Sequence, residues 1–392
     1  MTSPDATLIR PLIRPVKERI ATIGVFLANG FGIGAWAVEV PRIKEGLSLG
    51  DASLGIALFC FALGAIVAMP LAGQLAPRFG SGRATALLGA AFAIALPLPA
   101  LAPGMATLCI VLFVLGASNG ALDVSMNGHA SAIETQWRAP IMSSFHAAWS
   151  AGGLLGAATG AMLQKNGVGV IGGLLAPDIF IALLIVFTAV LALRDVGPRA
   201  HAASSGFAWP EGGVMKLAML AFLCMLVEGA VADWSAVYLR SALNQEASVA
   251  AIGYSAFAFS MAACRIAGDA SVRRFGSSKV VALGGLIALA GLALVLSLPT
   301  VLTACVGFAM VGVGLANIVP VIFSAAGRSS PMPAVGVSMA ATAGYAGFLI
   351  GPPLIGLGAG WLGLRVALCV LVMATLIVSL LGGKAVRNAQ TA

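Results

Sequence analysis

The sequence predicts an all-α membrane protein of twelve transmembrane helices, built as two parallel six-helix halves. Three observations predict it. Of 392 residues, 60% are hydrophobic and only 9% are charged, whereas a soluble domain carries about 25% charge. The hydrophobic share amounts to about 235 side chains (60% of 392), enough for about a dozen crossings at about 20 residues each. Short motifs also recur half a chain apart. This composition excludes a soluble enzyme, a nucleic-acid binder and a secreted disulfide scaffold.

Spanning stretches fall at 20–41, 52–75, 84–102, 105–128, 142–163 and 174–193. A polar interval, 194–213, follows and contains Asp195, Arg199, His201 and Glu211. Six more stretches lie at 215–239, 249–270, 280–298, 300–324, 335–360 and 362–382. The division is therefore a first half at 1–193, a linker at 194–213 and a second half at 214–392. The first 19 residues are polar and basic and precede a run long enough to span, so no cleavable leader is expected. Cys60, Cys109, Cys224, Cys264, Cys305 and Cys369 all sit in apolar runs without a CxxC pair and read as packing residues.

The net charge of +8 reports orientation. With a cytoplasmic amino terminus, 17 of the 22 Lys and Arg residues lie inside, and only Arg42, Lys44, Lys165, Arg240 and Arg365 lie outside. Both termini are thus expected in the cytoplasm, with the chain in a cell membrane, the inner one of a bacterium. The repeat is visible directly. Arg78-Phe79-Gly80-Ser81-Gly82-Arg83 returns 196 residues later as Arg274-Phe275-Gly276-Ser277-Ser278-Lys279. The same offset carries Gly116 onto Gly312, Trp149 onto Tyr345 and Gly160 onto Gly356; an offset of 198 carries Trp36 onto Trp234 and Arg42 onto Arg240. An even number of spans per half makes the copies parallel.

These features together resemble the major facilitator superfamily over essentially the whole chain. Residues 73–83, Gly-Gln-Leu-Ala-Pro-Arg-Phe-Gly-Ser-Gly-Arg, are similar to its loop signature, with Pro77 where the usual Asp stands. The second half keeps Arg265-x-x-Gly268-Asp269 ahead of Arg273-Arg274-Phe275-Gly276. In the fourth span, Asp123-Val-Ser-Met-Asn127 resembles an acidic-x-x-x-Asn element of the fucose–proton symporter branch. That likeness implies a role for the carboxylate in proton coupling and sugar recognition. The branch's second acid would fall at Ala37 and is absent.

Each ionisable group inside the membrane needs a reason, because burying its charge costs about 2.5–3.5 kcal/mol on insertion scales. Asn119, Asp123 and Asn127 share one helical face (i, i+4, i+8), as expected of a stripe lining a wet cavity. The alternative is a carboxylate bonded permanently between helices. Glu228 sits near the middle of the seventh span and is read as facing the cavity. Asp233 lies about 140° round the helix, reads as structural, and is within reach of Arg240. His146 shares a face with Trp149, Ser150 and Gly153, near enough to partner Asn127 or Asp123, and its imidazole suits proton handling; the alternative is a histidine simply hydrogen-bonded in place near a helix end. Asp123, Glu228 and His146 are therefore the proton-coupling candidates.

Flat rings and amides suit a polar solute. The substrate-binding candidates are Asn29, Trp36, Asn119, Asn127, Trp149, Asn317 and Tyr345, with packing as the alternative for each aromatic. Arg78, Arg83, Arg265, Asp269 and Arg274 are gating candidates; the i, i+4 spacing of Arg265 and Asp269 suits a salt bridge that latches the inner end, with a purely orientational role as the equal alternative. Gly152, Gly156 and Gly160 should let the fifth span approach a neighbour closely. Pro352 and Pro353 should bend the eleventh.

No phosphate-binding loop and no soluble nucleotide domain accompany these spans. The sequence reads as a secondary active transporter, not an enzyme. It is expected to take up a small polar solute, a sugar or sugar derivative, with protons, by alternating access. A proton-coupled exporter of drugs or metabolites is the alternative. No cofactor, metal or nucleic-acid partner is expected; the partners are solute, protons and lipid, and the chain is expected to act as a monomer.

Overall fold

A chain inside a bilayer has no water to satisfy its amide groups, so apolar stretches close their hydrogen bonds on themselves as helices. The computed structural model describes residues 15–49, 51–191, 194–195, 212–330 and 332–391. Most of the predicted linker, with Arg199, His201 and Glu211, lies outside the described residues, as do Arg10 and Arg14. The described chain forms α1 (Val16–Gly46), α2 (Asp51–Phe79), α3 (Ser81–Ala95), α4 (Met105–Trp137), α5 (Met142–Lys165), α6 (Val170–Leu191) and α7 (Gly212–Val237). There follow α8 (Ala247–Ile266), α9 (Gly268–Phe275), α10 (Ser277–Ser297), α11 (Val301–Leu315), α12 (Ile318–Arg328), α13 (Pro333–Leu362), α14 (Leu364–Ala367) and α15 (Cys369–Thr391).

Among the described residues, ten helices are long and apolar enough to cross a membrane. Two of the twelve expected spans are not among them. The fifth, α5, carries Ser143, Ser144, His146 and Ser150 along its first three turns, and the eighth has only a short apolar stretch, Ile252–Ile266. Large apolar side chains such as Val190 (79% exposed), Phe259 (78%) and Trp361 (91%) point outward. In water such a surface would aggregate; in a bilayer it is the lipid contact.

The helices pack into two apolar clusters. One draws its buried residues from 21–185, the other almost wholly from 217–389, with Ala65, Met69, Ala72, Ala121 and Val124 joining it from α2 and α4. In the first, α1 packs along α5 and α6, α2 along α4, and α3 on α4 and α6. In the second, α7 packs along α13 and α15, α8 along α11, and α10 on α11 and α15. Glycines set these approaches. A Cβ on Gly116 would lie 1.8 Å from the Phe61 carbonyl oxygen, and one on Gly312, 2.3 Å from that of Phe257. Both glycine and carbonyl therefore recur at the 196-residue offset. Gly152 and Gly156 press on the Leu27 and Phe31 carbonyls of α1, as Gly347 and Gly351 press on those of Phe222 and Leu226 on α7. Gly80 (φ 93°) and Gly276 (φ 83°) turn the chain into α3 and α10 at matching positions. The repeat read in the sequence is thus a repeat of backbone contacts.

Two expected spans are interrupted. The tenth breaks between α11 and α12. Pro320 has no N–H to return to the Ala316 carbonyl, so the ladder opens there. The Ala316 oxygen instead accepts from Arg265 Nε at 3.3 Å, while Asn317 Nδ2 donates to the Cys264 carbonyl at 3.1 Å. The eighth ends at Ile266, and Asp269 falls on the separate short helix α9, beyond Ala267. Conversely, α13 runs without a break through Pro352 and Pro353, and Trp234 Nε1 donates to the Pro352 carbonyl at 3.0 Å.

Candidate functional site

One turn of α5 organises the centre. His146, Trp149 and Ser150 fall at i, i+3 and i+4 and share a face. The glycine contacts of α5 bring that face against α1, and it also meets α4 and α8.

Three threads leave this turn. Trp149 Nε1 donates to Asn29 Oδ1 at 2.8 Å, and Asn29 Nδ2 donates to Asn119 Oδ1 at 2.8 Å. The indole can only donate, so it fixes which way the Asn29 amide points. Tyr345 of α13 lies against Asn119, within electrostatic reach of Asp123 and Glu228. The second thread pairs His146 Nε2 with Asn127 Oδ1 at 3.1 Å, while Asn127 Nδ2 donates to Asp123 Oδ1 at 3.2 Å and to the Asp123 carbonyl at 2.9 Å. Because Asn127 already spends its amino group on Asp123, His146 must be the donor. Asp123 Oδ2 is buried with no hydrogen-bond partner. The third thread runs from Ser150 Oγ, which accepts from Arg265 Nη1 at 2.9 Å, to Glu228, whose Oε1 lies 3.5 Å from Arg265 Nη2.

The centre therefore gathers most of the predicted proton and substrate candidates: Asp123, His146, Glu228, Asn29, Asn119, Asn127, Trp149 and Tyr345. Asp123, His146, Trp149, Ser150, Glu228 and Tyr345 keep partial exposure although they lie deep between helices. Asn317 joins at the margin through Cys264, its Oδ1 buried and without a partner. Trp36 does not join; it is buried in the first apolar cluster.

The expected Arg265–Asp269 latch does not form. The chain turns at Ala267, so Arg265 reaches Glu228 and Ser150 while Asp269 Oδ1 accepts from the Ser144 N–H at 3.2 Å. Asp233 is exposed, and Arg240 donates to the Gln245 carbonyl at 3.4 Å, not to the acid. Arg78 and Arg274 are exposed at the end bearing Gly80 and Gly276, Arg274 over the Phe275 ring. Arg83 Nε approaches Asp195 at 4.0 Å with its side chain 71% exposed.

Besides Asp269, the clusters are joined at this basic end by residues the sequence did not assign a role. Glu134 is buried at the end of α4. Its Oε2 accepts from the Ile141 and Met142 N–H groups at 2.9 Å each, capping α5, and its Oε1 accepts from Arg328 Nη1 at 2.8 Å and from the Ser324 hydroxyl. Ser338 Oγ donates to the Met69 carbonyl at 2.9 Å, and Arg273 Nη1 to that of Pro140 at 3.5 Å. Nothing local marks Glu134, because its cation comes from 194 residues away. Glu39, at the opposite end, is buried and held by Arg42 (3.1 Å) and Gln164 (3.3 Å) within the first cluster. Asp178 of α6 has a buried Oδ1 without a partner.

Among the described residues, no three His, Cys, Asp or Glu side chains are grouped to hold a metal. Known proteins give this architecture a family. The sequence profile of the Major Facilitator Superfamily matches residues 21–342. An uncharacterised MFS-type transporter of Yersinia pestis is 36% identical over 342 residues, covering 87% of this chain and 88% of its own. The membrane protein MosC of Rhizobium meliloti is 35% identical over 355 residues, covering 90% and 86%. Among solved structures, FucP in its outward conformation is similar with a TM-score of 0.75 at 16% identity, covering 97% of this chain and 99% of FucP. The proton:xylose symporter XylE is similar with a TM-score of 0.77 at 12% identity, covering 95% and 96%. These likenesses do not single out the fucose branch; the human organic anion transporter MFSD10 is similar with a TM-score of 0.74 at 14% identity, covering 96% and 100%. The ten apolar helices, the two packed clusters and the profile match carry one conclusion: the chain belongs to the Major Facilitator Superfamily, and is a multi-pass secondary transporter, not an enzyme.

Proposed function

We propose that this protein imports a small polar solute, a sugar or sugar derivative, together with protons. It works by alternating access between two six-helix halves, 1–193 and 214–392, with both termini in the cytoplasm. The observation that carries this reading is Asp123: an acid deep in the membrane, one oxygen held by Asn127 and the other buried without a partner. Such a group exchanges a proton when its surroundings change from wet to dry. Around it stand amides, an indole and a phenol, the groups that recognise hydroxyls beside a flat ring. An exporter of greasy compounds would line the same space with apolar side chains. Glu134–Arg328, Ser338–Met69 and Asp269–Ser144 join the halves at the basic end, which supports a reading in which solute and protons reach the site from the opposite side. The similarity to outward-conformation FucP, described as a fucose:proton symporter, supports the same reading. One proton crossing 150 mV supplies about 3.5 kcal/mol, enough for roughly a 300-fold gradient.

The test is uptake of labelled hexoses and hexose derivatives into proteoliposomes with the pH gradient imposed. The native protein should accumulate at least one of them, while Asp123→Asn should only equilibrate it. Accumulation by Asp123→Asn with unchanged dependence on the gradient, or no uptake of any polar solute, overturns the reading.

A further inference from the structure

The third thread of the centre is unfinished. Arg265 is 6% exposed and carries five N–H donors in a rigid fork. Nε is spent on the Ala316 carbonyl freed by Pro320, and Nη1 on Ser150. These two bonds anchor the guanidinium between α5, α8 and the α11–α12 break. Among the described residues, its Nη2 makes no hydrogen bond. The nearest carboxylate oxygen, Glu228 Oε1, stands at 3.5 Å, beyond the usual 2.7–2.9 Å of a charge-assisted bond. A buried cation is thus fixed in place with one donor face aimed into the partly exposed centre, loosely covered by an acid that is 20% exposed.

We infer that Arg265 binds the carboxylate of the transported solute, and that Glu228 is the competitor that solute displaces. The inference rests on the polar-solute reading above and narrows it to polyhydroxylated acids such as sugar acids. The groups facing Glu228 among the described residues are Arg265 and Tyr254 of α8, Cys224 one turn earlier on α7, and Tyr345 of α13. His146 of α5 is the other titratable group beside Arg265. Arg265 is the only cation among them. With Glu228 ionised, the pair is closed and a second carboxylate meets repulsion. With Glu228 protonated, Nη2 is released and the incoming carboxylate takes the vacated charge. Proton and anion then enter together, and the site stays neutral before and after, which avoids leaving a lone charge in the membrane. The partly exposed Trp149 ring and Tyr345 remain for the rest of the solute.

Glucuronate, glucose and glucosamine share one ring and differ in charge. Each is titrated against the purified full-length protein by thermal shift and by quenching of tryptophan fluorescence, at acid and at alkaline pH. Glucuronate should bind best, and its affinity should fall as pH rises. Arg265→Gln should lower that affinity roughly ten- to hundred-fold, the range expected for one lost charge-assisted hydrogen bond, and Arg265→Lys should restore part of it. Glu228→Gln should keep or raise the affinity and remove its pH dependence, an outcome that a purely structural Glu228 would not give. Preference for glucose or glucosamine, or weaker glucuronate binding in Glu228→Gln, overturns the anion assignment and leaves the polar-solute reading standing. Failure of all three to bind overturns the anion assignment as well, and the uptake assay with Asp123→Asn then decides the broader reading by itself.

Discussion

Glu134 Oε1 lies 2.8 Å from Arg328 Nη1, tying the end of α4 to the end of α12. The same carboxylate caps the start of α5 through its other oxygen. One buried acid therefore holds the two clusters together and fixes the helix whose next turns carry His146, Trp149 and Ser150. The link between the clusters at the basic end and the assembly of the site thus share one residue.

Removing the cation should loosen that end. A cysteine placed at Ser338, which is 4% exposed and bonded to Met69, should react slowly with a membrane-impermeant maleimide in an otherwise cysteine-free protein. Adding Arg328→Gln should speed the labelling by roughly ten-fold, as expected when about 1.4 kcal/mol of closure is lost. Unchanged labelling would show that the pair does not govern access.

The contact of α1 with α5 should tolerate no extra atom. A methyl at Gly30 would lie 2.0 Å from the Trp149 carbonyl oxygen, so Gly30→Ala must push the helices apart. It should cost on the order of 1–3 kcal/mol in stability and stretch the Trp149–Asn29 bond, lowering transport and apparent melting temperature together. Gly360→Ala is the control. No atom lies within 4 Å of its added carbon, and its stability should be unchanged or slightly raised.

Asp269 should make the closed end sensitive to pH. It sits on α9, outside the membrane-spanning helices, and burial raises its pKa above the ordinary carboxylate range, against the lowering effect of its hydrogen bonds from Ser144. A raised folded-state pKa means that the native protein binds this proton more tightly than the unfolded chain. Its stabilisation is complete below the ordinary carboxylate pKa and is lost as pH rises through the folded value. Melting temperature measured in detergent from about pH 4 to about pH 8 should therefore decline on this group's account. Asp269→Asn keeps an oxygen for the Ser144 N–H and has nothing to ionise, so the decline should become smaller. An identical slope in both proteins would remove Asp269 as its source.

Some of the site could be read along the chain because it is written on single helices. Asn119, Asp123 and Asn127 share a face by spacing alone, as do His146, Trp149 and Ser150. Hydropathy located the spans because lipid tests each segment separately. The glycine repeat was visible at 196 residues, since close helix contact needs a missing Cβ wherever it occurs. The partners of charged groups were not legible in this way. The spacing of Arg265 and Asp269 favours a pair, but the freed Ala316 carbonyl, the turn at Ala267 and the approach of α7 send Arg265 to Glu228 and Asp269 to Ser144.

Sequence by itself determined that this chain lives in a membrane, where most of its apolar helices run, which faces are polar and that short motifs recur half a chain apart. Only the tertiary structure decided which acid meets which base, that Glu134 and Arg328 join the two clusters at one end, and that Asp123 keeps an unmatched oxygen. The physical reason is range. Hydropathy, helical period and turn chemistry act within a few residues, whereas an ion pair forms between whatever the packed helices bring within a few ångströms, here across 194 positions of chain.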